Sequence, residues 1–203
     1  MKMNKSLAPE FRHVILDRDG VLNEEAPGGY VRSPAEFIWL PGALEALSKL
    51  VQSGITLSVA TNQSCVGRGI IDLPDLARIH DKMKKEAAAY GVRFSGVYFC
   101  PHTPEAGCSC RKPRPALIEA AIRESGITRT KSLMIGDSAR DLQAGQAAGI
   151  RSWLVRTGRG RETEAEISKG RINGLDAASV CVFDDLAAAG RQITGSPFKT
   201  KEP

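Results

Sequence analysis

Four potential metal ligands fall within eleven residues: Cys100, His102, Cys108 and Cys110. Three thiolates and one imidazole suit tetrahedral Zn²⁺, and two ligand pairs on a short loop can close around one ion. Four protein ligands leave no open position for a substrate, so the spacing predicts a structural zinc. Arg111 and Lys112 follow at once, and a closed metal loop would hold that lysine rigidly. Asp17-x-Asp19-Gly20 supplies chemistry that can use it. One carboxylate can attack phosphorus and form an aspartyl phosphate. Its neighbour can protonate the leaving oxygen and later take a proton from water. Asp137, after Gly136, is a third carboxylate; with Asp17 and one backbone carbonyl it could hold Mg²⁺. The Thr61 hydroxyl and the N–H groups after it can bind a phosphoryl oxygen, and Lys112 adds a point charge. Asp141 reads either as a support for this site or as a solvated residue at a helix start.

These residues must be positioned by the elements that precede them. His13–Leu16 reads as a buried strand ending in the Asp17 motif. Pro41–Ser53 reads as a helix with Leu44, Leu47, Leu50 and Val51 on one face. Ile55–Ala60 is a strand ending in Thr61-Asn62-Gln63, and Asp75–Tyr90 a helix with Leu76, Ile79, Met83 and Ala87 on one side. Gly96–Phe99 is a strand that runs into the cysteine cluster. Pro115–Ser125 is a helix, Ser132–Ile135 a strand ending in Gly136-Asp137-Ser138, and Asp141–Ala148 a short helix. Ser152–Val155 and Val180–Phe183 are the last strands. This alternation predicts a parallel sheet with helices on both faces. Ligands in such sheets bind beyond the carboxyl ends of strands, and every polar cluster named above falls at one. Residues 12–190 form a single expected domain, with residues 1–11 and 195–203 as flexible termini.

At 203 residues and 42% hydrophobic content, the chain fits one α/β domain with a sizeable core. No apolar run reaches the length of a membrane helix and the N-terminus lacks a signal-peptide core, so a soluble cytoplasmic protein is expected, with no membrane partner. Five cysteines agree with a reducing compartment. Cys65 and Cys181 read as small apolar fillers, and His13 and His80 receive no role. The net charge of +5 suits an anionic substrate or a basic surface. Aromatics are only 5% and no aromatic-interleaved basic stripe exists, so nucleic acid is not expected as a partner.

The ordered blocks Asp17-Arg18-Asp19-Gly20, Thr61, Lys112 and Gly136-Asp137 resemble the haloacid dehalogenase superfamily of phosphotransferases. Gly29-Tyr30-Val31, Thr61-Asn62-Gln63-Ser64, Arg68-Gly69 and the stretch from Cys100 to Pro113 narrow the resemblance to the D-glycero-D-manno-heptose 1,7-bisphosphate 7-phosphatases. The resemblance runs from residue 13 to about 186. It implies a Rossmann-like three-layer parallel sheet, a minimal cap and a zinc-bound loop that helps shape the cleft. It further implies Asp17 as nucleophile, Asp19 as general acid/base, and Thr61 and Lys112 as stabilisers of the transferring phosphoryl group. Mg²⁺ would lie among Asp17, the Asp19 carbonyl and Asp137, and Zn²⁺ among Cys100, His102, Cys108 and Cys110. Arg111 would contact the distal phosphate or sugar, with Asn62, Gln63 and Ser64 nearby and Glu25, Gly29 and Tyr30 on a second loop. The implied partner is a small phosphorylated sugar, acted on by a monomer, and the product heptose 1-phosphate would feed lipopolysaccharide heptose synthesis.

Some positions depart from that pattern. Cys65 stands where glycine is usual and could shift the turn after Thr61-Asn62-Gln63-Ser64. Ser138 replaces a lysine, the loop Glu24–Gly29 is slightly long, and the zinc loop is short. These leave sugar and anomer preference open. Two further readings remain. Histidinol-phosphate phosphatases share much of the pattern, including the zinc loop; Glu24 and Glu25 suit that cationic substrate and Arg111 does not. A zinc-stabilised nucleic-acid-binding or 3′-phosphatase module would account for the zinc loop and the positive charge, but not for the complete catalytic set.

Overall fold

The computed structural model describes residues 10–195. Six parallel strands form one sheet: β1 (His13–Leu16), β2 (Thr56–Asn62), β3 (Phe94–Cys100), β4 (Ser132–Gly136), β5 (Arg151–Val155) and β6 (Cys181–Phe183), in the order β3-β2-β1-β4-β5-β6. Among the described residues seven α-helices accompany them: α1 (Ala43–Gln52), α2 (Ser64–Gly67), α3 (Leu73–Ala89), α4 (Ala116–Ser125), α5 (Ala139–Ala147), α6 (Gly160–Ser168) and α7 (Leu186–Thr194). No described helix is long and apolar enough to cross a membrane.

The two-residue period of β1 divides the core. Val14 and Leu16 face one layer, built from α1, α3 and α7, while Ile15 faces α4 and α5. All three side chains are fully buried, as expected of strands covered on both faces. Phe11, expected in a frayed terminus, belongs to the core: it is 1% exposed and meets Trp153 edge to face at 5.5 Å. Two other residues of the expected flexible ends are also described, Glu10 paired with Arg151 and Gly195 at the end of α7, while residues 1–9 and 196–203 lie outside the described residues.

The ten expected elements all form, β1 with the expected ends and the others with one or both ends shifted. The helix expected from Asp75 begins at Leu73, because Asp72 caps it: its carboxylate accepts from the Asp75 N–H, and the Asp75 carboxylate accepts from the Asp72 N–H. Two longer helices are additional to the reading. In α7, Leu186, Ala189 and Ile193 are buried at helical spacing behind an Asp185 cap, a pattern present in the sequence. α6 buries only Gly160 and Thr163, so it carries no apolar period to read. Cys65 is buried as expected, whereas Cys181, expected as a filler, is exposed.

At the amino end of the sheet His13 is completely buried. Its Nε2 lies 2.9 Å from Ser58 Oγ, and its Nδ1 lies 3.3 Å from Ser125 Oγ and 3.4 Å from Ser132 Oγ. Its hydrogen-bond partners are neutral hydroxyls that bring no charge to offset the cost of ionising it, and burial pushes its pKa down to about 4. The unfolded chain therefore binds a proton near pH 6.5 that the folded chain refuses until about pH 4. Stability is lost as pH falls across that window, by at most roughly 3 kcal/mol from this group. Urea midpoints measured from pH 7.5 to 4 should fall less steeply for His13→Gln than for the unaltered protein. Identical slopes would show that His13 stays uncoupled from folding.

Candidate active site

The chain builds β1, β2 and β3 outward on one side, then crosses over to place β4, β5 and β6 on the other. The adjacent carboxyl ends of β1 and β4 therefore part company, which opens the crevice where such sheets bind ligands. Leu16 pairs with Ile135, which sets Asp17 opposite Gly136 and brings Asp137 out one residue later from the neighbouring strand end. Gly20 turns the chain after β1 with φ +79°, and a Cβ there would run into the Asp137 carboxylate. Gly158, in the loop after β5, approaches Asp137 from the other side with the same restriction. The Arg159 N–H donates to Asp137 Oδ2 at 2.8 Å, and Thr163 Oγ1 donates to the Asp137 carbonyl at 2.9 Å.

Lys112 lies at the centre of the site, 2% exposed. Its Nζ is 3.0 Å from Asp17 Oδ1, 2.5 Å from Asp141 Oδ1, and donates to the Ala60 carbonyl at 2.6 Å. Burial alone would lower its pKa, but the charges of Asp141 and Asp17 outweigh that and raise it. Asn62 clasps the same residue from β2: its Nδ2 donates to the Lys112 carbonyl and its Oδ1 accepts from the Lys112 N–H, both at 3.1 Å. Asp141 is thus a fully buried partner of Lys112 rather than a solvated helix residue. Ser138 holds its other oxygen through N–H at 3.0 Å and Oγ at 2.6 Å, and Gly136 leaves the space the Asp141 side chain fills.

One ammonium stands among three clustered carboxylates, Asp137 and Asp141 buried and Asp17 partly so, and pairs directly with Asp17 and Asp141. Burial, then Asp141, raises Asp17 to about 6 against the pull of Lys112. Burial, then Asp141 and Asp17, raises Asp137 to about 8. One oxygen each of Asp17, Asp137 and Asp141 lies within 4.8 Å of the others. A hard divalent cation fits this excess of negative oxygen donors. Asp19 behaves differently. Burial would raise its carboxyl, but the Arg18 guanidinium, with hydrogen bonds from Arg18, Asn23 and Gln63, holds it below the usual range.

The Cys/His loop closes as its spacing predicts. The Sγ atoms of Cys100, Cys108 and Cys110 are 3.2–3.6 Å apart, and His102 Nδ1 lies 3.6 Å from Cys100 Sγ and 3.3 Å from Cys110 Sγ. Tetrahedral ligation at a Zn–S length of about 2.3 Å puts sulfurs roughly 3.8 Å apart, so the donors fit a zinc ion. A zinc ion held there would anchor Arg111 and Lys112 through Cys110. Arg111 Nη1 donates to the His102 carbonyl at 3.2 Å, which aims the guanidinium back across the loop.

A cavity of about 120 Å³ collects Asp17, Asp19, Glu25, Gly29, Thr61, Asn62, Arg111, Lys112, Asp137 and Asp141. Other expected residues stand behind it. Gln63 is 2% exposed and spends its amide on Asp19 Oδ2 at 2.8 Å and Thr61 Oγ1 at 2.9 Å. Ser64 is buried, and its hydroxyl is 3.4 Å from that of Tyr30, tying the second loop to α2. Cys65 sits inside α2 with its thiol 3.6 Å from Gln63 Oε1, and the chain beyond Gln63 turns directly into that helix. Arg140, Arg159 and Ser138 also line the cavity, and Arg18 backs Asp19; the sequence reading gave none of these a binding role. Arg18 was visible within the Asp17 motif, whereas the arginines of α5 and the β5 loop had no local signal. A wider groove of about 310 Å³, lined by Arg111, Arg114 and Arg140 among others, adjoins the cavity.

The HAD-hydrolase-like family model matches residues 109–189. A D-glycero-beta-D-manno-heptose-1,7-bisphosphate 7-phosphatase from Bordetella bronchiseptica is 42% identical over 89% of this chain and 96% of its own length. One of the same name from Pseudomonas putida is 36% identical over 89% of this chain and 98% of its own. The crystal structure of D,D-heptose 1,7-bisphosphate phosphatase from B. bronchiseptica, complexed with magnesium and phosphate, superposes with a TM-score of 0.83 at 41% identity, covering 91% of this chain and 99% of that one. With the sheet order, the carboxylate cluster and the Cys/His loop, these similarities show that the chain belongs to the D-glycero-D-manno-heptose 1,7-bisphosphate 7-phosphatase family of haloacid dehalogenase phosphatases.

Proposed function

We propose that this chain hydrolyses the 7-phosphate of D-glycero-β-D-manno-heptose 1,7-bisphosphate, with Asp17 as nucleophile. The observation that carries the chemistry is Lys112: wholly enclosed, it bridges Asp17 and Asp141 at the floor of a cavity that also holds Asp19, Thr61 and Asp137. Asp17 attacks phosphorus in line, and the bond from phosphorus to the C7 oxygen breaks. Asp19 delivers a proton to that oxygen as it leaves, and an aspartyl phosphate remains. The entering phosphate opposes the pull of Arg18 on Asp19, since neighbouring negative charge favours a protonated carboxyl. Water then attacks the phosphorus and gives its proton to Asp19, and inorganic phosphate departs from the regenerated Asp17. Lys112 and Thr61 stabilise charge on the transferring group throughout. Asp17, the Asp19 carbonyl and Asp137 would hold Mg²⁺, which when bound supplies further neutralisation of the phosphoryl oxygens.

The second phosphate sets the substrate class. Arg111 and Arg140 line both the catalytic cavity and the adjoining groove, and Arg114 lines the groove, so cationic walls continue past the reacting centre. A guanidinium can bind a distal phosphate through two parallel hydrogen bonds. This arrangement favours a sugar bisphosphate over histidinol phosphate, whose distal end is cationic. The β-anomer is favoured by the relatives matched over 89% of the chain, which carry that name. An α-named relative from Mycobacterium bovis is 40% identical over 64% of the chain.

Phosphate release with Mg²⁺ should be fastest from the β-anomer when it is compared with the α-anomer, fructose 1,6-bisphosphate and histidinol phosphate. Preference for histidinol phosphate would overturn the substrate assignment. Asp17→Asn should reduce turnover by at least 10³-fold on the scale of a lost nucleophile, roughly 4 kcal/mol, with circular dichroism unchanged; substantial activity in the pure variant would remove Asp17 from that role. Arg111→Ala should cost about tenfold or more in kcat/KM on the bisphosphate, the scale of a lost charged hydrogen bond, and much less on a sugar monophosphate. Equal losses would separate Arg111 from the distal phosphate.

A further inference from the structure

The Asp19 carboxylate is gripped from several sides, and the main grip comes from its own chain neighbour. Among the described residues Arg18 is the largest fully buried side chain, 0% exposed. Its Nη2 donates to Asp19 Oδ1 at 2.8 Å and to Oδ2 at 2.9 Å, and its Nε reaches Oδ1 at 3.3 Å. Asn23 Nδ2 adds a bond to Oδ1 at 2.9 Å, and Gln63 Nε2 one to Oδ2 at 2.8 Å. Both oxygens are thus fixed, and the carboxylate cannot rotate without breaking several bonds at once.

The far side of Arg18 is braced in turn. Its Nη1 lies 3.3 Å from Nε2 of His80, which comes from the middle of α3 and is 5% exposed. A guanidinium only donates, so His80 accepts at Nε2 and carries its proton on Nδ1. The imidazole packs edge to face on Phe99 at 5.7 Å, which fixes its plane. A buried guanidinium is tolerated only when its N–H groups are satisfied and its charge is offset. Asp19 offsets the charge and His80 satisfies the remaining nitrogen. The chain is therefore α3 to His80, His80 to Arg18, and Arg18 to Asp19.

We propose that Arg18, braced by His80, is a positioning residue that holds the Asp19 carboxyl in line with the leaving oxygen. The proposal rests on the reading of Asp19 as general acid/base. A group that delivers a proton must meet the departing oxygen within hydrogen-bond reach, and an error of about 1 Å in such placement can cost roughly 100-fold. A purely structural arginine would affect every substrate alike. A positioning one matters most where the leaving group needs the proton.

The discriminating measurement is kcat/KM, which covers the steps through leaving-group departure, on two substrates. A sugar phosphate leaves as an alkoxide and needs a proton, whereas p-nitrophenyl phosphate leaves as a stable phenolate and does not. Arg18→Lys keeps charge but loses the fork. It should cost about 100-fold on heptose 1,7-bisphosphate and under about threefold on p-nitrophenyl phosphate, with KM nearly unchanged. His80→Leu should show the same selectivity at roughly tenfold, and His80→Gln, which restores an acceptor, should recover most of it. If Arg18→Lys fails to fold, the two His80 variants decide the matter. Equal losses on both substrates for these variants, while Asp19→Ala stays selective, would overturn the positioning role and leave the mechanism standing. Equal losses for Asp19→Ala itself would overturn the general-acid reading, and this inference with it.

Discussion

The buried ion cluster around Lys112 is the constraint on which the rest of the site depends. An ammonium removed from water is costly unless it is paired and its N–H bonds are used. Here Asp17 from the end of β1, Asp141 from α5 and a carbonyl of β2 converge on it. Three elements distant in sequence must therefore take up fixed positions together. The same cluster leaves surplus negative charge, visible in the raised pKa values of Asp17 and Asp137. That surplus is tolerable only near a cation or a site open to one, which is the condition a metal-assisted phosphatase requires.

The metal loop solves a positioning problem that secondary structure alone cannot. Lys112 lies in an irregular segment between β3 and α4, where a long side chain would otherwise sample many rotamers. Cys110, two residues earlier, ties the segment to Cys100 at the end of β3 and to Cys108. Asn62 fixes the backbone of Lys112 from β2. One small loop thereby anchors the buried Lys112 ammonium and, through Arg111, a wall of the adjoining groove.

The two aspartates of the Asp17 motif show how environment gives one chemical group two opposite electrostatic settings. Asp17 faces Lys112 and other carboxylates, while Asp19 turns to Arg18, Asn23 and Gln63. The sharp turn at Gly20 separates them, and close packing of Gly20 and Gly158 against Asp137 keeps that turn compact. The β5 loop, through Thr157 Oγ1 donating to the Gly20 carbonyl at 2.6 Å, closes the same corner from the opposite half of the sheet.

The sequence by itself determined the alternating α/β class, the strand ends that carry the polar clusters, a Cys/His cluster that could hold zinc and the identity of the ordered phosphatase motifs. Each is a local pattern: a period of two or 3.6, a turn glycine, or ligands a few residues apart. Only the tertiary structure decided what Asp141, Gln63, Arg18 and His80 do. Asp141 could have faced solvent at a helix start, and Gln63 could have reached the substrate. Packing instead buried Asp141 against Lys112 and turned Gln63 onto Asp19. His80 lies 62 residues from Arg18, and no local pattern links them. The arginines of α5 and the β5 loop likewise join the cleft only because the crossover after β3 returns the chain to the side of β1. Such contacts are set by how layers stack and which charges must be neutralised together, a condition on the whole fold rather than on any segment of it.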